Sequence, residues 1–468
     1  MILRPLALLC VGGAAWSLGA TEPNMTIVLN ADARMAAKPL RHFWSAASDG
    51  GSASQALRAT WQDQWHVAAA ECGFTSVGLE GLFEPAVQTY RNEGGQDRLD
   101  FSALDDLFDR LLAENTHPAL RLDLPAPVVA AGRVGPFVSR FVQHYEDRYG
   151  SPELRLWSFE IGPPAAGDYV GAYRSAAAAI KAADPQLRVG GPLPRLVGIA
   201  GVPVDFVTAR YFPPVGAPAD AIAIEIRRLK ALVAAGGCPR AQLELTGGSS
   251  NAPAGDFVHD SLPAAAWILR NTLELGDAPD VVRYGTFSDQ AEGAGAAHGI
   301  FHGGPGLMNS EGVVKPAFHA YRYLNALGDE LLTAAPGGIA TRRKSSGRVV
   351  LLAYNVPAEQ TTAWPVAADL AAADRLAGQG APRGLSISLS GLRPGGQILI
   401  EVLDVNHGNA SEAWERMGAP AEPTRPALAV LQSGAREMRL EYRQADELGR
   451  FAFTAALAPW AVLLLREL

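Results

Sequence analysis

A chain of 468 residues with 48% hydrophobic and 19% charged side chains has room for one large domain and a smaller one, and this apolar content excludes intrinsic disorder. A net charge of −8 with no long basic run excludes nucleic acid as a partner. Three cysteines define no disulfide framework, no Cys/His cluster has zinc spacing, and neither metal nor cofactor is expected.

Residues 1–20 read as a signal peptide. Arg4 precedes an apolar run that ends in small residues near Ala20. The run is too short and too closely flanked by polar sequence for a stable membrane span, so the protein is expected to be exported, periplasmic or secreted. Its removal leaves Cys72 and Cys238, read as two unpaired thiols, with a single disulfide as the alternative.

From 21 to 334, short apolar runs alternate with helical segments. The strand-like runs are RHFWSA at 41, SVGLEG at 76, HPALRLDLP at 117 and LWSFEIG at 156. LRVGGP at 187, VDFVTARYF at 204, QLELTGG at 242 and VVRYGTFSD at 281 complete a set of eight. Between Phe101 and Asn115, Leu104, Leu107, Phe108, Leu111 and Leu112 share one helical face, and Ser102 with Asp105 has capping-box spacing. A second helix over Asp168–Asp184 stops at Pro185. Eight strands alternating with helices predict an α/β fold, a closed (β/α)8 TIM barrel. A doubly wound open sheet is the runner-up, but no G-x-G-x-x-G follows an early strand.

From 335 to 468 the texture changes. GRVVLLAYN, GLSISLSGL, GQILIEVLDV, REMRLEYRQ, GRFAFTAAL and AVLLLREL are short strands separated by turn residues. They predict an antiparallel β-sandwich, with AADLAAADRLAGQGAPRG at 367 as a surface excursion.

Barrel active sites lie where strands end and βα loops begin. The polar residues there are Glu80, Glu84, Asp123, Glu160, Arg210, Asp289 and Glu292, with His302 in the loop after the eighth strand. Taken singly, each carboxylate is better explained as an ion-pair partner or a helix cap than as an acid or base. Glu160 precedes its strand end and is expected deep in the barrel, paired with Arg121 on the neighbouring strand. Losing one partner of such a pair would cost about 3–5 kcal/mol. Glu244 is expected to point away from the pocket.

The order of these pieces resembles glycoside hydrolase family 39, the β-xylosidase and α-L-iduronidase family. The segments that carry the resemblance are AECGFTSVGLEGLF at 70, YGSPELRLWSFE at 149, VHDSLPAAAWILRNTL at 258, TFSD at 286, GIFHGGPGLMNSEGVVKPAFHAY at 299 and LDVNHGNASEAWERMGAP at 403. They span essentially the whole mature chain. The resemblance implies a retaining glycosidase that uses two glutamates. One stands in a Trp-Asn-Glu-Pro turn after a Phe-Glu pair on strand four, and the other in a Thr-Glu-Trp triplet ending strand seven. Phe159-Glu160 matches the pair, but the acid/base position falls on Pro164. Thr246 matches the triplet, but the nucleophile position falls on Gly247. Neighbouring family positions also depart: a histidine on strand two falls on Glu80, a glutamate on strand three near Arg121, and a histidine on strand six near Arg210.

Proline and glycine can neither protonate a leaving group nor form a glycosyl ester. Three readings follow. The first is a degenerate scaffold that binds a glycan or a partner protein, with Glu80, Arg210, Asp289, Glu292 and His302 as carbohydrate contacts. The second is an O-glycosyl hydrolase with relocated carboxylates drawn from Glu80, Asp123 and Glu160. The third is a structural protein of an envelope assembly. The sequence favours the first, with an oligosaccharide or polysaccharide as the partner and an envelope protein as the alternative.

Overall fold

Eight parallel strands close into a barrel: β1 (Ala47–Ser52), β2 (Ser76–Glu80), β3 (His117–Leu122), β4 (Ser158–Ile161), β5 (Arg188–Pro192), β6 (Phe206–Arg210), β7 (Gln242–Thr246) and β8 (Val281–Tyr284). The computed structural model describes residues 26–468 except 165–166, 200, 215, 219, 248–254, 276–277, 292–298 and 361–364. The expected signal peptide therefore lies outside the described residues, and no helix within them is long and apolar enough to cross a membrane. Each strand is registered on its neighbour, and β8 closes the ring by pairing Arg283 with Ala47 and Tyr284 with Ser48.

Seven of the eight strands lie where the apolar runs predict them. The first does not. Residues 41–46 form turns, in which Phe43 and Trp44 are buried and the Phe43 carbonyl accepts from the Val282 amide at 3.0 Å. The strand itself is Ala47–Ser52, a polar and glycine-rich stretch with no apolar alternation to reveal it. Its glycine is required by close approach: a Cβ on Gly50 would stand 2.6 Å from Val77 Cγ2 and 2.9 Å from the Trp61 ring.

The crossover helices follow the predicted pattern. α1 (Ser102–Ala113) buries Leu104, Leu107, Phe108 and Leu111. Its start is set differently from expectation, because Ser102 donates through both its amide and its hydroxyl to Asp100 and makes no capping box. α2 (Tyr169–Ala183) is capped by Asp168, whose carboxylate accepts from the amides of Val170 and Gly171.

Beyond the barrel come β9 (Glu330–Ala335), β10 (Gly338–Arg342), β11 (Val349–Tyr354), β12 (Arg383–Ser390), β13 (Gln397–Leu403), β14 (Arg439–Gln444), β15 (Phe451–Leu457) and β16 (Val462–Glu467). Seven strands form one sheet in the order β14, β13, β16, β11, β10, β9 and Lys38–Pro39. The N-terminal strand Ile27–Asp32 joins β12 and β15 in a second sheet. The sandwich thus takes its first strand from before the barrel, parallel to β12, so a linear division at 334/335 does not describe it fully. Ile27, Leu29, Leu351, Leu385, Ile387, Ile400 and Leu465 fill the space between the sheets. The stretch at 367 is more than a surface excursion. It holds a helix, Leu370–Ala377, which buries Leu370, Ala373 and Leu376 against the barrel core, and the Trp460 indole donates to the Leu376 carbonyl at 2.9 Å. Cys72 and Cys238 are both free thiols.

Candidate active site

Strand side chains alternate, so residues two apart on one strand face the same way. That periodicity sends Gly78 and Glu80 of β2, and Thr208 and Arg210 of β6, toward the barrel mouth. Asp49 of β1, Arg121 of β3, Glu160 of β4, Thr246 of β7 and Arg283 of β8 meet them there. Together they line a cleft of about 610 Å³, rimmed by Pro163, Pro192, Pro194 and Pro305.

Below the cleft, Arg283 crosses the lumen. Its guanidinium pairs with Glu244 of β7 through Nε at 3.1 Å and through Nη2, and donates to Ser158 Oγ on the opposite wall at 3.3 Å. Glu244 is almost wholly buried and also pairs with Arg188 at 2.9 Å. This corrects the expectation that Glu244 points away. It faces inward, one layer beneath the mouth, because the alternation that would have turned it outward was counted from Gly247, which lies beyond the strand end at φ +82°.

The expected Arg121–Glu160 pair does not form. The two residues are register partners on β3 and β4, but Arg121 turns to Glu80 at 2.9 Å and Asp123 at 3.0 Å. Glu160 instead accepts from the Thr208 hydroxyl of β6 at 3.0 Å. Its carboxyl is raised above the ordinary glutamate value by burial, against the pull of Arg283 and the Thr208 hydrogen bond. Asp123 is likewise raised by burial, against Arg121. Asp49 is pushed up to about 7 by burial. Arg283 and Arg210 pull it down, while Glu160 and Glu80 push it further up.

At the end of β4, Gly162 lies against Asp123, whose Oδ1 would stand 2.3 Å from a Cβ there. Pro163 follows in the cleft wall, then Pro164. At the end of β7, a Cβ on Gly247 would stand 2.5 Å from Phe212 Cζ, and the Arg210 guanidinium lies 5.3 Å over that same ring. Phe212 thus occupies the space a side chain at 247 would need.

Of the residues singled out from sequence, Glu80, Glu160 and Arg210 line the cleft. Asp123 sits behind Arg121 at its edge, outside the lining. Asp289 is not a cleft residue. It is buried with Asp260 around Lys315, whose Nζ lies 2.6 Å from Asp260 Oδ1 and 2.5 Å from Asp289 Oδ2. The trio holds the loop that carries Pro305: the Gly303 amide donates to Asp260, the Gly306 amide to Asp289, and Lys315 to the Gly304 carbonyl. His302 stands outside the lining, its Nδ1 3.1 Å from the Gly299 carbonyl. Glu292 lies outside the described residues. Sequence reasoning missed Asp49, Thr208 and Arg283. Asp49 went unseen because its strand was placed six residues early. Only the Ser-Asp-Gly-Gly-Ser run before α-helical sequence could have signalled it.

The model of glycosyl hydrolases family 39 matches residues 27–439. A β-xylosidase of Geobacillus stearothermophilus is 26% identical, over 86% of this chain and 88% of its own length. Among solved structures, a monomeric β-xylosidase from Caulobacter crescentus superposes with a TM-score of 0.81 at 27% identity, covering 94% of this chain and 99% of its own. The family 39 enzyme of Xanthomonas axonopodis superposes with a TM-score of 0.82 at 24% identity, covering 96% and 99%, and speaks for the fold.

Proposed function

The chain belongs to glycosyl hydrolase family 39, and we propose that it hydrolyses xylose-containing glycosides in the mouth cleft with relocated carboxyl groups. Glu160 is the proton donor and Glu80 its ionised partner. The relatives named β-xylosidases support the reaction and the sugar. The observation that carries the residue assignment is the contrast between two carboxyl groups in one cleft. Burial favours the protonated form of Glu160, whereas Glu80 is exposed and bound to a guanidinium. A neutral acid and a charged partner are the two states that glycoside hydrolysis requires. Glu160 passes its proton to the glycosidic oxygen as the bond to the anomeric carbon breaks. A water oxygen bonds to that carbon and gives its proton to Glu80.

A second reading, binding without turnover, is favoured by Pro164 and Gly247, where the family resemblance sets the acid/base and the nucleophile, and by Phe212 filling the space at 247. Aryl β-xylosides separate the two. Turnover by the wild type that falls at least about 100-fold in Glu160→Gln and in Glu80→Gln supports hydrolysis by these groups. Background turnover with xylo-oligosaccharide binding intact establishes the binding reading. Export belongs to the same proposal, on the strength of residues 1–20. Fractionation of an expressing bacterial host checks it, and unprocessed cytosolic protein would count against it.

A further inference from the structure

Among the carboxyl groups lining the cleft, Asp49 stands apart. Glu80 is held by Arg121, Glu160 by Thr208 and Glu225 by Arg228. The Asp49 carboxyl makes no hydrogen bond and no ion pair with any described residue, although it lines the same cleft from β1. Asp49 is half-buried with its carboxyl open to the cleft, so an acceptor or donor left without a protein partner there is free to meet a bound ligand. The space beside it is kept open by a missing side chain. Asp49 is registered on Gly78 of β2, and a Cβ on Gly78 would come 2.8 Å from Asp49 Oδ1 and 3.2 Å from Arg283 Nη1.

We propose that Asp49 is a ligand-binding residue of the cleft, its carboxyl group donating a hydrogen bond to a hydroxyl of the bound saccharide. This rests on the reading that the cleft takes a saccharide, but not on whether that saccharide is cleaved. The charged groups that face Asp49 are Arg283 from β8, Arg210 from β6, Glu160 from β4 and Glu80 from β2. Both arginines favour the carboxylate and both glutamates favour the acid, while burial raises Asp49 to about 7. A saccharide filling the cleft displaces water and raises the group further. Protonated Asp49 is therefore the binding form, and affinity should be present below neutrality and decline as pH rises through 7 and above.

Calorimetric titration with an S-linked xylobiose, which resists hydrolysis, tests this on the full chain between pH 6 and 8.5. Wild type should lose about tenfold in affinity over that range. Asp49→Asn keeps an N–H donor but cannot titrate, so it should bind with little pH dependence. Asp49→Ala should bind at least about tenfold more weakly at pH 6. In Glu160→Gln the decline with pH should persist with its midpoint moved lower, because one of the charges that pushes Asp49 up is gone. Circular dichroism of each variant guards against misfolding. Gly78→Ala, which leaves Asp49 chemically intact but crowds its oxygen, should weaken binding at every pH. Affinity that is flat with pH in wild type, or a slope that survives in Asp49→Asn, overturns the assignment while leaving the saccharide reading in place. Failure of wild type to bind the disaccharide at any pH overturns both.

Discussion

Single residues in this barrel are governed by whether a charge has its partner. Arg121 is more than a third exposed and its partner Glu80 about half exposed, so their ion pair contributes only about 0–1 kcal/mol. Arg121→Ala should therefore leave the urea midpoint within a small shift, where a buried pair would have cost several kcal/mol. Glu244 is the opposite case. It is buried between Arg283 and Arg188, and Glu244→Ala strands the Arg283 guanidinium in the lumen. A loss of about 3–5 kcal/mol in equilibrium unfolding is expected. Asp49 gives the stability a pH dependence of its own. Because its folded pKa is raised, the folded chain holds a proton that the unfolded chain releases from 3.8 upward. That contribution is complete below 3.8 and is lost as pH climbs to about 7. Melting temperatures recorded between pH 4 and 8 should fall less in Asp49→Asn than in wild type. Gly247→Glu tests the wall at the end of β7. With φ +82° and Phe212 in the way, this change should destabilise by about 1–3 kcal/mol and should not raise the turnover of aryl xylosides above the wild-type rate.

At the level of elements, β11 explains why its sequence carries no alternation. All six residues of Val349–Tyr354 are buried. Val349, Leu351 and Ala353 face the sandwich interior, while Val350, Leu352 and Tyr354 pack into the core shared with the barrel. β16 divides in the same way, with Leu463 and Leu465 on one side and Val462 and Leu464 on the other. A strand buried on both faces reads as an unbroken apolar run. Leu351→Ala and Leu352→Ala should accordingly each cost about 2–5 kcal/mol, measured by denaturant unfolding, although they point in opposite directions.

The whole molecule has three layers: barrel, seven-stranded sheet, three-stranded sheet. Polar contacts reinforce the apolar join. Glu274 accepts from Tyr354 Oη at 2.8 Å and from the Gly337 amide at 2.9 Å, and Glu401 accepts from Tyr323 Oη at 3.0 Å and pairs with Arg322. An interface this apolar couples the two bodies. Scanning calorimetry should show one transition for the full chain. A chain cut at residue 335 should be insoluble, since the barrel's face for Val350, Leu352, Tyr354 and Leu464 would lie open to water. Two transitions, or a soluble folded barrel, would contradict that coupling.

What the sequence determined by itself was whatever depends on local pattern. Seven barrel strands, the helices between them and six sandwich strands follow from apolar runs and turn residues, and the family resemblance follows from segments spread along the whole chain. Glu80, Glu160 and Arg210 were found because each stands at or near the end of a legible strand. Only the tertiary structure decided the partners. Arg121 and Glu160 sit side by side in the ladder, yet one reaches back to β2 and the other across the lumen to β6, a choice set by lumen geometry rather than by spacing. Asp289 looked like a mouth residue until Lys315, 26 positions on, was seen to bury it. Asp49 and the N-terminal sandwich strand were hidden for the same reason. Glycine and polar residues form a strand there because Trp61 and Val77 crowd it, and Ile27–Asp32 finds its partner in β12 more than 350 residues away. Contacts of that range leave no periodic trace in the sequence around them.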